Sequence, residues 1–122
     1  MLQRHICLLE DSPDIMDVLK IIFEAEGYKI SAFSTVEEFD LGTPALTPDL
    51  FILDVMVPDG SGLEVCERLK TDARTLGIPV LIMTANMGID QMRKTSKANQ
   101  FMQKPFDVQA LVSSVSNLIN HA

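Results

Sequence analysis

The sequence predicts an α/β fold in three layers, a doubly wound parallel sheet of five strands with helices on both faces. Three observations predict it. Five short apolar runs alternate along the chain with segments of helical periodicity. The first, third and fourth runs are continuously apolar rather than alternating, as strands buried on both faces are. Capping residues, glycines and prolines punctuate the boundaries between runs and helices.

Ile6-Cys7-Leu8-Leu9 is the first strand. Ser12 follows as a helix N-cap, with Pro13 at the first helical position, where a missing N–H costs nothing. Ile15, Val18, Leu19, Ile22 and Phe23 form that helix's apolar face, and Gly27 closes it as a left-handed cap. Lys29 to Phe33 is the second strand. Ser34 with Glu37 has capping-box spacing for a second helix, which Gly42-Thr43-Pro44 keeps short.

Leu50-Phe51-Ile52-Leu53 is the third strand. Ser61 and Glu64 repeat the capping box, and Leu63, Cys66, Leu69 and Ala73 supply the next apolar stripe. Pro79 to Met83 is the fourth strand. Met87 to Lys97 is helical in composition but weakly amphipathic. Phe101-Met102 lies in a short fifth strand ending near Lys104-Pro105. Asp107 caps the last helix, whose face is Val108, Leu111, Val112, Val115, Leu118 and Ile119, with Phe106 and Leu111 spaced as a hydrophobic staple.

These units account for one domain, residues 1–122, with no internal linker. A composition of 47% hydrophobic and 22% charged residues is that of a globular chain. A net charge of −7 has the wrong sign for direct nucleic-acid binding or for a basic membrane-surface helix. No apolar run approaches the roughly 20 residues that cross a bilayer. Met1-Leu2-Gln3-Arg4-His5 leads into the first strand without a small-residue cleavage site. Cys7 and Cys66, isolated and without metal-ligand spacing, read as buried thiols of a reducing compartment, so the expected location is the cytoplasm.

Right-handed crossovers place the C-terminal ends of all parallel strands on one sheet edge, where ligands of open α/β sheets bind. At those ends stand Glu10-Asp11, Asp54, Thr84 and Lys104. Like charges brought together disfavour mutual ionisation, so three carboxylates need a compensating cation. Oxygen ligands with no His or Cys describe a Mg²⁺ site that keeps waters and borrows phosphoryl oxygens. A carboxylate can itself accept a phosphoryl group, with the lysine ammonium and the threonine hydroxyl holding the product.

In these residues the chain resembles the receiver domain of bacterial two-component response regulators, the CheY-like family with a flavodoxin-like (βα)5 fold and strand order 2-1-3-4-5. The resemblance covers essentially the whole chain. It rests on Glu10-Asp11, on Asp54 through Gly62, on Met83-Thr84-Ala85 and on Lys104-Pro105-Phe106. It implies that Asp54 is the phosphoacceptor and that Lys104 and Thr84 hold the phosphoryl group. Mg²⁺ would be bound directly by Asp11 and Asp54, mostly through water by Glu10, and by the backbone carbonyl of Met56. Phe101 and Ala85 would take switch positions. Pro58, Gly62 and Pro105 would be structural, the Lys104–Pro105 bond being one that is often cis in the family.

The resemblance further implies a histidine kinase or histidine phosphotransfer protein as donor, and a downstream effector or linked output domain as target. It makes the face of the fourth and fifth helices available for a homodimer. Enzymatic activity is expected only on the chain itself, as self-phosphorylation and autodephosphorylation at Asp54. Glu10 stands where aspartate is commoner, Thr84 to Lys104 is about two residues shorter than is usual in the family, and Lys97-Ala98-Asn99 replaces a glycine–alanine start before the fifth strand. An unusual fourth helix is therefore expected. The alternative function is a degenerate receiver acting as a phosphorylation-independent interaction module. A flavodoxin-type cofactor protein is disfavoured, because Glu10-Asp11 would repel an FMN phosphate. A Walker motif is absent, and a dehalogenase-type phosphatase needs an aspartate where Met56 stands.

Overall fold

The computed structural model describes residues 3–85 and 88–120. Strands β1 (His5–Leu9), β2 (Lys29–Phe33), β3 (Leu50–Asp54), β4 (Val80–Thr84) and β5 (Gln100–Gln103) pair in parallel, in the order β2-β1-β3-β4-β5. Helices α1 (Pro13–Ala25) and α5 (Val108–Asn120) cover one face. Helices α2 (Val36–Gly42), α3 (Gly62–Thr71) and α4 (Ile89–Thr95) cover the other.

The continuous apolar runs have their explanation in the pleat. Ile6, Leu8, Leu50, Ile52, Leu81 and Met83 pack with Leu19, Phe23, Leu111, Val115 and Ile119 on the α1/α5 side. Their neighbours Cys7, Leu9, Phe51, Leu53, Val80 and Ile82 pack with Phe39, Val65, Cys66 and Phe101 on the other. Alternate residues serve opposite cores, so both parities must be apolar. Each fully buried side chain of this size contributes about 1.5–3 kcal/mol, far more than any strand propensity.

Local signals set the helix ends. The Ser12 hydroxyl accepts the Ile15 N–H at 3.4 Å ahead of Pro13, and Gly27 adopts φ 90° just past α1. Asp107 accepts the Ala110 N–H at 2.8 Å, capping α5, and Phe106 packs on the core that contains Leu111. Burial pushes the Cys7 thiol up to about 12 and raises that of Cys66, as expected of unreactive core cysteines. No helix among the described residues is long and apolar enough to cross a membrane.

Several local expectations are corrected. The α2 cap is Thr35, whose hydroxyl accepts the Glu38 N–H at 3.1 Å; Ser34 instead donates to the Glu38 carboxylate. Ser61 caps α3 through the Leu63 N–H at 3.1 Å, one residue before the capping-box partner. Ala73 lies beyond α3, which ends at Thr71, and Val65 takes its place in the core beside Cys66. Val18 is 46% exposed, because the buried arc of α1 centres on Leu19 and Phe23 and leaves Val18 on its flank. Val108 is 45% exposed, at the first residue of α5.

The fourth helix ends before Lys97, short of the stretch of helical composition. It spans Ile89–Thr95, has no side-chain N-cap and buries no residue fully. Met87, where the sequence pattern begins, lies outside the described residues. Ahead of β5 the chain uses no left-handed residue; Gly27 is the one positive φ among the described residues. Asn99 secures the approach instead, its side-chain oxygen accepting the Val80 N–H and its own N–H reaching the Val80 carbonyl, both at 2.9 Å.

At the opposite end of the sheet from the strand C-termini, His5 is buried with its Nε2 2.7 Å from the Ser31 hydroxyl, and its backbone N–H donates to Asp49 at 2.8 Å. Burial, then the charge of Lys29, depresses the imidazole below its ordinary 6.5, against a smaller opposing effect of Asp49. The unfolded chain therefore binds more protons than the folded one in the window just below 6.5. Stability should fall as pH drops through that window. His5→Gln is expected to flatten this part of the pH dependence in urea unfolding, and an unchanged slope would show that His5 does not carry it.

Candidate functional site

The sheet register assembles the site. Leu9 pairs with Leu53, Asp54 with Met83, and Thr84 with Gln103. Glu10, Asp54, Thr84 and Lys104 thus stand within two residues of one another along the C-terminal edge. Lys104 is held there by its backbone N–H, which donates to the Thr84 carbonyl at 2.8 Å. Its ammonium lies 2.6 Å from Glu10 Oε1 and 3.2 Å from Asp54 Oδ2. Glu10, 1% exposed, also accepts the Ser12 N–H on Oε2 at 3.0 Å. Asp11 is exposed, yet carboxylate oxygens of Glu10, Asp11 and Asp54 lie within 4.8 Å of one another.

The electrostatics are those of an underpaid anion cluster. Three carboxylates face one ammonium, which leaves an excess of two negative charges when all are ionised. Burial pushes the Glu10 carboxyl above its ordinary range, and the Asp54 charge adds to it. The Lys104 and Ser12 hydrogen bonds pull the other way and do not overcome it. Burial opposes the Lys104 charge, but the Glu10 hydrogen bond and the neighbouring Asp54 and Glu10 charges outweigh it and hold the amine above its usual value. A divalent cation would balance the excess. An all-oxygen donor set suits a hard ion such as Mg²⁺, so the residues present fit the metal.

The segment after Asp54 is shaped by close approach. Met56–Val57 and Gly60–Ser61 form a small antiparallel hairpin, and the Met56 N–H lies 3.4 Å from Asp54 Oδ1. A Cβ on Gly62 would run into the Asp54 carbonyl oxygen, so glycine is required where α3 begins. Pro58 is exposed at the hairpin tip. Thr84 is buried at the end of β4 and Ala85 is exposed just beyond it. Phe101 is 7% exposed, its ring within the core that contains Ile82 and Val55. The Lys104–Pro105 bond is cis.

The structure therefore brings Glu10, Asp11, Asp54 and Lys104 into one cluster, with Thr84 and the Met56 backbone adjoining it. Two contributors escaped the sequence reading. Ser12 reads as a helix cap, and only the folded loop reveals that its N–H also holds Glu10. Asp59, given no role of its own in the sequence, binds the N-terminus of α2. A partner more than twenty residues away leaves no local signal.

The family model of the response regulator receiver domain matches residues 6–116. The DNA-binding dual master transcriptional regulator RpaA of Synechocystis sp. is 35% identical over 117 residues, which cover 94% of this chain and 48% of that protein. The chain thus spans about half the length of such curated relatives. The signal receiver domain of a signal transduction histidine kinase from Syntrophus aciditrophicus has a TM-score of 0.90 at 29% identity, covering 98% of this chain and 92% of that one. Response regulator protein TrrA from Thermotoga maritima, solved in complex with Mg²⁺-BeF, has a TM-score of 0.83 at 27% identity, covering 95% and 99%.

Removing the ammonium should expose the excess of negative charge. Lys104→Met is expected to lower unfolding stability by about 3 kcal/mol at pH 8, the cost of stranding a buried charge. The loss should shrink toward pH 5, because Glu10, already raised, would then take up a proton and need no cation. Urea unfolding at both pH values checks this. A loss independent of pH would mean that the pair with Glu10 is not its source.

Proposed function

The chain belongs to the response regulator receiver domain family, and we propose that Asp54 is the phosphoacceptor of a two-component signalling switch. The observation that carries this reading is the Lys104 ammonium placed between Glu10 and Asp54, at 2.6 and 3.2 Å, with Asp11 in the same carboxylate cluster. A structural ion pair needs one carboxylate. Three around one buried lysine, at the edge where such sheets bind ligands, suit a site that receives a cation and a phosphoryl group.

In the proposed reaction an Asp54 oxygen attacks the phosphorus of a phosphohistidine on a histidine kinase or phosphotransfer protein. An O–P bond forms, the P–N bond breaks, and its electron pair returns to the imidazole nitrogen. Mg²⁺, held by Asp11, Asp54 and the Met56 carbonyl with Glu10 acting through water, would neutralise charge on the phosphoryl oxygens. Lys104 moves from its carboxylate partners to a phosphoryl oxygen, and the Thr84 hydroxyl donates to another. Hydrolysis ends the phosphorylated state: water attacks phosphorus, the bond to Asp54 breaks, inorganic phosphate leaves and the carboxylate is regenerated. The chain acts as substrate of this chemistry and turns over no other.

The acyl phosphate then biases a two-state equilibrium. Its new hydrogen bonds draw in Thr84 and the segment beginning at Ala85, and α4 and Phe101 follow. A change from 1:99 to 99:1 needs about 5.5 kcal/mol of differential stabilisation. Charge-assisted bonds from Lys104 and Thr84 supply much of it. The signal passes, in the cytoplasm, to an effector protein or linked output domain. The face of α4 and α5 is the proposed surface for output and for a homodimer.

Acetyl phosphate with Mg²⁺ is expected to add one phosphoryl group, detected by intact mass. Asp54→Ala or chelation of the metal should abolish the adduct. A wild-type chain that stays unmodified under these conditions would overturn the reading in favour of a phosphorylation-independent interaction module.

A further inference from the structure

The hairpin that follows Asp54 is anchored from outside the site. Its strands are two residues each, with Met56 opposite Ser61 and Val57 opposite Gly60. A hairpin this small cannot hold its own position. At its tip Asp59 reaches α2, where one carboxylate oxygen accepts the Val36 N–H at 2.8 Å and the other the Glu37 N–H at 3.0 Å. Both are first-turn donors without a partner inside the helix. The Thr35 hydroxyl serves the Glu38 N–H only.

Packing reinforces the contact. Val36 and Val57 border the same core, and a Cβ on Gly60 would come within 3.1 Å of Val36 Cγ2. The two backbone bonds hold the exposed Asp59 carboxyl below the usual carboxylate range, so it stays ionised and keeps both acceptors. At the base of the same hairpin the Met56 N–H lies beside Asp54 Oδ1, and the Gly62 N–H donates to the Val55 carbonyl at 3.1 Å. The hairpin thus has Asp54 at one end and α2 at the other.

We propose that Asp59 is a positioning residue of the phosphoacceptor site: by clamping the hairpin to α2 it sets where the Met56 backbone stands relative to Asp54. The proposal rests on the reading of Asp54 and the Met56 carbonyl given above, and it adds a residue that touches neither metal nor phosphoryl group. Asp59 acts through geometry. With the clamp released the hairpin swings, and the Met56 N–H and carbonyl no longer face the site together.

Thr35 supplies a matched control, because it caps the same helix and has no bond to the hairpin. The test is a Mg²⁺ titration of the full chain followed by amide NMR, for the wild type, Asp59→Ala, Asp59→Asn and Thr35→Ala, with urea unfolding of each. Asp59→Ala is expected to raise the Mg²⁺ Kd about tenfold, the lower end of the cost of losing a partner behind the ligands. It should also shift the Met56 and Val57 amides before any metal is added. Asp59→Asn, with one acceptor oxygen, should fall between. Thr35→Ala should lower stability and leave Kd unchanged.

Equal affinity in folded wild type and Asp59→Ala overturns the proposal. So does an equal loss in Thr35→Ala, since helix stability would then be all that the site senses. A wild type that binds no Mg²⁺ counts against the proposed function instead. The metal-free Met56 amide then decides the clamp, an unshifted resonance overturning it.

Discussion

Every residue of β1, β3 and β4 is buried, and that one constraint governs the rest of the molecule. A strand covered on both faces has no place for a charge until its helices stop covering it. Polar chemistry is driven to the strand ends, and parallel connection puts the C-terminal ends on one edge. Glu10, Asp54 and Lys104 are therefore neighbours because the sheet is parallel and doubly covered. Nothing in their local sequences demands it.

The same burial makes the cluster costly. Glu10 is almost wholly removed from water, and its carboxyl is raised in spite of two hydrogen bonds. Lys104 relieves part of the repulsion by reaching two carboxylates at once. One ammonium cannot neutralise three acids, so the resting site carries an excess of negative charge that a divalent cation would balance. An apolar core offers no such imbalance. A surface cluster would dissipate it in solvent and counterions.

The two ends of the helical layer differ in how firmly they are held. The segment after Asp54 is braced by Gly62 against the Asp54 carbonyl and by Asp59 against α2. The segment after Thr84 leads to α4, which lacks a side-chain cap and a fully buried residue. In the proposed switch the element that moves would come from the less firmly packed part, and α4 is the helix that fits that role.

The sequence by itself determined the five β-α units, their order and the acids at the strand ends, because hydrophobic period, caps and Gly or Pro punctuation are local signals. Lys29 to Phe33, the Ser12 cap and the Gly27 cap were all legible in this way. Where neighbouring residues competed for one role, the signal was one residue too coarse: Thr35 caps α2 in place of Ser34. Ala73 missed the core because α3 ends at Thr71, two residues before it. Helical period could not tell that Val18 and Val108 lie at the margins of their buried faces. Only the tertiary structure decided which distant groups meet: Lys104 with Glu10 across ninety-four residues, and Asp59 with Val36 and Glu37. The reason is physical. Periodicity and capping report each residue's preference for its own backbone neighbours, while a hydrogen bond to a distant partner depends on register and packing that exist only once the chain has folded.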